Sequence, residues 1–259
     1  MDLLVTVLVC LFAGIGAGLG TGFAGMSAAA VITPMLVTFL DMDPYMAVGI
    51  ALASDVLASA VSAYTYGKNK NLDIRGGLVM MVAVLVFTVV GSYISSLVLP
   101  VTMGNFSVIM TLFLGIKFIV RPVMTTRETA NTGSAGARVV KSIVCGAVVG
   151  FICGFVGAGG GMMMLLLLTS VLRYDLKTAV GTSVFIMTFT ALTGSLSHFA
   201  IGGAPQWYPF ILCVLFTFLF ARIAAKIANK AQPKTLNRAT GVILVILGIV
   251  VLGFSLATK

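Results

Sequence analysis

The sequence predicts an all-α integral membrane protein built from two inverted-topology repeats, each a glycine-broken helical hairpin followed by three transmembrane helices. Three observations lead there. Apolar blocks are long enough to cross a bilayer, a glycine-rich pattern recurs at fixed spacing, and the charged loops change sides between the two copies.

Of the 259 residues, 59% are hydrophobic and only 9% charged, with a mean hydropathy of +1.14. A soluble domain carries about 25% charged residues, which excludes that class here. The apolar residues run in blocks rather than along one face, and a spanning helix needs about 20 of them. The formal net charge of +9 sits in short loops between blocks, where positive charge reports membrane orientation. No aromatic-basic interleaving and no arginine-rich helix accompany it, so no nucleic-acid partner is expected. Cys10, Cys145, Cys153 and Cys213 all lie in apolar blocks without metal-type spacing or a disulfide framework, and read as small packing residues. No metal and no cofactor are expected. The start, Met1-Asp2-Leu3-Leu4, lacks the basic segment of a cleavable signal, so the first block is expected to stay in the mature chain.

Apolar blocks fall at about 3–40, 44–66, 76–99, 103–120, 142–172, 177–200, 208–229 and 238–257. Those at 3–40 and 142–172 are too long for one simple helix, and each contains a glycine cluster, Gly18 to Gly25 and Gly154 to Gly161. Glycine takes backbone dihedrals that a helix does not use, so both clusters predict a break between two shorter helices. The two blocks are also copies. At a constant spacing of 132 residues, Gly14, Gly18, Gly22, Phe23 and Gly25 match Gly146, Gly150, Gly154, Phe155 and Gly157. Further on, Asp43, Ala47, Val48 and Gly49 match Asp175, Ala179, Val180 and Gly181. The chain therefore divides into a first repeat, 1–120, a polar basic linker, 121–141, and a second repeat, 142–259.

Loop charges set the orientation. Lys68, Lys70 and Arg75 follow the 44–66 block, whereas the equivalent loop from Ile201 to Trp207 is uncharged. One loop later the pattern reverses: residues 100–105 are uncharged, and their counterpart carries Lys226, Lys230, Lys234 and Arg238. By the positive-inside rule the halves have opposite topology. That requires an odd number of crossings per half, five or three depending on whether the broken block spans or is re-entrant. Both chain ends are then expected outside and the linker in the cytoplasm.

Inverted repeats with broken helices near the midplane are the architecture of secondary transporters, since one unit in two orientations yields two mirrored openings. A helix that restarts inside the membrane aims free N–H groups and the positive end of its dipole at the centre, which makes an anion site without a charged side chain. The restarts are expected near Ala24–Ala28 and Ala158–Gly161. The candidate binding residues are Thr21, Gly22, Gly25 and Ser27 in the first half. In the second half they are Gly154, Gly157, Gly159, Gly160, Gly161, Thr182 and Ser183. Taken singly, such glycines only permit close helix packing, and membrane hydroxyls commonly bond neighbouring helices. Two matched clusters in opposed halves point beyond packing, to a substrate site.

The glycine-rich first block with Pro34, the Ala47-Val48-Gly49 step, the Gly154 to Gly161 block and the Ala179-Val180-Gly181-Thr182-Ser183 stretch resemble the TauE/SafE sulfite exporter family. The resemblance covers essentially the whole chain. It implies a multi-pass carrier in a bacterial-type plasma membrane, moving sulfite, organosulfonates or related sulfur anions and coupled to protons. The first half departs from the pattern, with Ser27-Ala28-Ala29 where the second keeps Gly159-Gly160-Gly161.

Asp55 stands at the centre of the 44–66 block, where a carboxylate costs at least ~2.5 kcal/mol and must face protein or water. A permanent negative charge beside an anion site works against binding, so a titrating, proton-coupling role is expected. His198, the only histidine, is the second candidate proton relay. The expected partners are a small anionic substrate, protons and membrane lipid; the oligomeric state is open. An anion channel and a carrier of non-sulfur carboxylates are the alternatives. An enzyme is not expected, because neither Gly-x-Ser-x-Gly nor His-Glu-x-x-His occurs.

Overall fold

A computed structural model describes residues 3–95, 112, 116, 119–120, 135–156 and 160–257. Among these residues the regular elements are nine α-helices: α1 (Leu3–Ala24), α2 (Ala29–Leu40), α3 (Pro44–Lys68), α4 (Ile74–Ser95), α5 (Ala135–Val156), α6 (Gly160–Ser170), α7 (Leu176–Gly202), α8 (Trp207–Lys230) and α9 (Pro233–Ala257). The expected helix at 103–120 lies outside the described residues except for 112, 116 and 119–120, which are helical. Of the linker, 121–134 lies outside them too, and 135–141 is the start of α5.

Both glycine-broken blocks are pairs of helices, α1 with α2 and α5 with α6. The arms are unequal. α1 has 22 residues and is apolar enough to cross a membrane, as are the long stretches Met46–Lys68, Leu176–Ala200 and Trp207–Lys230. α2 and α6 have 12 and 11 residues. At 1.5 Å per residue each covers about 17 Å, roughly half of a hydrocarbon core. Neither short arm spans a bilayer alone. Large apolar side chains such as Phe12, Val82, Val89, Leu196 and Ile211 point outward, while alanines, glycines and serines fill the helix contacts. That distribution suits lipid outside and close packing inside.

The turns from the short arms into α3 and α7 repeat in detail. Asp43 caps α3 by accepting from the Met46 N–H at 3.0 Å, and Asp175 caps α7 by accepting from the Thr178 N–H at 3.1 Å. The shared Asp-x-x-x-Ala-Val-Gly segment is thus a helix start, its aspartate satisfying one of the four free N–H groups there. Just before each cap, Asp41 and Arg173 both take left-handed backbone, with φ of 45° and 57°.

Packing also repeats when the halves are exchanged. α1 lies along α8, with Gly14 against Phe216, Gly18 against Ala221 and Gly22 against Ala224. α5 lies along α4 in the same manner, with Gly146 against Met80 and Gly150 against the Val84 backbone. A side chain at Gly150 would run into the Val84 carbonyl. The third helices, α3 and α7, pack antiparallel in the middle: Gly49 meets His198 and Phe199, Leu52 meets Gly194, and Tyr66 meets Gly181. At the repeat spacing, Gly49 on His198 and Gly181 on Tyr66 are counterparts.

Candidate functional site

α1 ends at Ala24 because Gly25 takes φ +62°, and the chain restarts as α2 with Ala28 at the N-cap position. The segment between is closed by its own groups. The Gly25 and Met26 amides donate to the Thr21 and Gly20 carbonyls, and the Thr21 hydroxyl donates to the Met26 carbonyl at 2.9 Å. The Ser27 hydroxyl accepts from the Ala29 N–H at 3.3 Å, a local cap for α2. A buried break in hydrocarbon is tolerable only with such satisfaction. From the next element, the Tyr66 hydroxyl donates to the Gly22 carbonyl at 2.9 Å, tying the end of α1 to α3.

The other half meets this break directly. Gly161, in the first turn of α6, leaves room only for hydrogen against the Gly25 carbonyl and the Ser27 N–H. Gly25 in turn leaves room only for hydrogen against the Ser183 hydroxyl. Gly160 and Gly161 are both buried. Gly154 lies in the last turn of α5, while Gly157 and Gly159 fall outside the described residues. Ser183 donates to the Val180 carbonyl at 3.0 Å, and the Thr182 hydroxyl oxygen accepts from the Asp73 N–H at 3.2 Å. The structure therefore brings Gly25, Ser27, Gly161 and Ser183 together, and sets Thr182 one step away, holding the α3–α4 loop.

Asp55 stands at the amino end of α2. Its side chain is fully buried, with Oδ1 accepting from the Ser59 hydroxyl at 2.9 Å. The Ser27 side chain and the Ala28 backbone face the same carboxylate. The positive end of the α2 dipole therefore points at Asp55. Oδ2 finds no hydrogen-bond partner among the described residues, and neither does the buried Ser62 hydroxyl, two turns further along α3. Asp55, Ser59, Ser62 and Tyr66 follow one another at intervals of three and four, and all four are fully buried. They form a continuous polar stripe from the middle of α3 toward its Lys68 end. A buried acceptor left unpaired costs about 1–3 kcal/mol, so Oδ2 is where a proton or a donor gains most.

His198 is not part of this group. It is half-buried near the end of α7 and packs on Gly49, six residues before Asp55, or about 9 Å along the helix axis. Among the described residues no group of three or more His, Cys, Asp or Glu side chains is arranged to hold a metal. The two halves differ most at the stripe. At the repeat spacing, Asp55, Ser59 and Ser62 correspond to Met187, Ala191 and Gly194. The Met187 sulfur lies against Gly161 at the start of α6, as the Asp55 carboxylate faces the start of α2. Ser59, Ser62 and Tyr66 go unmarked by a search for charged residues, although their spacing from Asp55 is legible in the sequence.

These features define a polytopic helical membrane protein in which the start of α6 meets the break between α1 and α2. Residues 10–251 match the sulfite exporter TauE/SafE family, and the chain belongs to that family. It is 29% identical to the probable membrane transporter protein YunE of Bacillus subtilis over 96% of both chains. It is 23% identical to a probable membrane transporter protein of Methanocaldococcus jannaschii, over 91% of this chain and 88% of that one. The probable membrane transporter protein YdhB of Bacillus subtilis is 22% identical over 86% of this chain and 90% of its own. No solved structure gives a significant match.

Proposed function

We propose that the protein is a secondary-active carrier that exports small anions, sulfite or organosulfonates foremost, by alternating access coupled to protons. The observation that carries the reading is the meeting of the α1–α2 break with the first turn of α6 beside one buried carboxylate. Family membership and relatives named as membrane transporters support it. The exchange-symmetric packing of α1 on α8 and α5 on α4 supports two halves of one unit, and the loop charges favour their opposed insertion in a plasma membrane.

The two restarts then divide the work. The amino end of α2 faces Asp55, so its dipole serves the carboxylate. The amino end of α6 has Met187 in the corresponding place; the Gly25 carbonyl and Ser27 N–H close on Gly161 in this conformation, and in this reading they part to admit the anion to the α6 backbone. In this reading the substrate binds at Gly160 and Gly161, with Ser183 and the Gly25–Ser27 segment opposite. Asp55 carries the proton. Protonation removes the one negative charge beside the anion, so the two bind together more readily than apart.

The test is flux. Purified protein in liposomes is expected to move sulfite or a small sulfonate with saturation, and an imposed pH gradient is expected to change the rate. Carboxylates of the same size serve as the comparison. No flux of any sulfur anion overturns the substrate assignment. Conductance without saturation favours a channel instead.

A further inference from the structure

A second polar site lies away from the breaks, at the seam between α3 of the first half and α8 of the second. A cavity of about 410 Å³ there is lined by Lys68, Arg222 and Lys226 together with Thr65, Asn69 and Tyr64. Lys68 is in the last turn of α3, and Arg222 and Lys226 are one turn apart on α8, so three cations from two helices face one space. Among the described residues no acidic side chain lines it. The neutral groups are turned to their own helix: the Thr65 hydroxyl donates to the Val61 carbonyl and the Asn69 amide to the Thr65 carbonyl, each at 2.7 Å. Three like charges share a small space at a cost unless an anion bridges them.

The walls say which anion. Tyr64 is 71% exposed; Leu57 and Leu219 stand exposed on the same two helices ahead of the cations, and Ile223 is exposed between Arg222 and Lys226. An apolar track leading into a basic pocket at a helix end matches a lipid, acyl chain along the track and phosphate among the cations. A free anion has no use for the track. We propose that this cavity binds the phosphate headgroup of an anionic phospholipid, clamping the seam between the halves at the basic ends of α3 and α8.

The experiment counts retained lipid. Wild-type protein is purified from mixed phosphatidylglycerol and phosphatidylcholine bilayers into an uncharged detergent, and both lipids are quantified per protein by mass spectrometry. Phosphatidylglycerol is expected to be enriched. The variant Lys68→Gln/Arg222→Gln/Lys226→Gln is expected to lose that enrichment, with retention weakening about fivefold per charge removed. The control Lys70→Gln/Arg173→Gln/Lys230→Gln removes equal charge at residues that do not line this cavity and is expected to keep it. Lys68→Gln alone leaves the α8 charges in place and gives a smaller drop in the same direction, should the triple variant not fold. Equal retention in wild type and triple variant, or equal loss in the control, overturns the proposal. So does displacement of the lipid by inorganic phosphate at an affinity matching its own, which marks a free oxyanion site. None of these outcomes depends on which anion the protein carries.

Discussion

Asp55→Asn is expected to yield a folded protein whose anion flux no longer responds to a pH gradient. Asparagine keeps the size of the side chain and an acceptor for the Ser59 hydroxyl, which donates to Oδ1 at 2.9 Å. What it removes is the ionisable oxygen, Oδ2, which has no hydrogen-bond partner among the described residues. Coupling free energies between two bound species run about 1–3 kcal/mol, so losing the proton site is expected to change gradient-driven flux about 5- to 150-fold. Thermal unfolding in detergent is expected to change little, because no buried charge is created. Gradient-driven flux equal to wild type at every pH removes Asp55 from the coupling role. His198→Gln changes a residue packed on Gly49 rather than on the breaks and is expected to retain the pH response.

Gly25→Ala carries the largest structural penalty expected at the breaks. Its φ of +62° costs an alanine about 1–2 kcal/mol. The new methyl group is also driven into the Ser183 hydroxyl, and overpacking adds about 1–3 kcal/mol. The sum is a clear loss of thermal stability, with transport lost alongside because Gly25 carbonyl and Gly161 are in contact. Combining the change with Ser183→Gly relieves the collision but leaves the backbone strain. The double variant is therefore expected to recover part of the stability, and a double-mutant cycle measures that coupling. Full additivity of the two changes contradicts the described contact.

Much of this fold is legible in the sequence, because apolar block length and glycine spacing survive translation into helices. The glycine run at 18–25 predicts a break, and α1 does end at Ala24. The run serves two purposes, however. Gly14, Gly18 and Gly22 bring α1 close to α8, and only Gly25 has the backbone dihedral that ends the helix. Spacing alone does not separate these roles, since both want a residue without a side chain. The repeated Asp43 and Asp175 are conspicuous as charges, and the structure uses them as caps. At the centre, Asp55 is visible as a carboxylate in an apolar block. Its placement at the start of α2 depends on how α3 turns its stripe inward, a tertiary fact. Two hydroxyls read as candidate binding groups are engaged with backbone, Thr21 with Met26 and Ser183 with Val180. Such bonds are local and leave no mark in composition.

The central claim, one unit present in two opposed orientations, is tested most directly by side-specific labelling. Lys70→Cys and Ala204→Cys place single reactive thiols in equivalent loops, after α3 and after α7. Cys153 is first replaced by serine, and the other native cysteines, Cys10, Cys145 and Cys213, are buried and react little with a membrane-impermeant maleimide. In intact cells the thiol at 204 is expected to label and the thiol at 70 to stay protected. In inside-out vesicles the pattern is expected to reverse. Labelling of both positions from the same side contradicts the inverted arrangement and, with it, the mirrored openings on which alternating access depends.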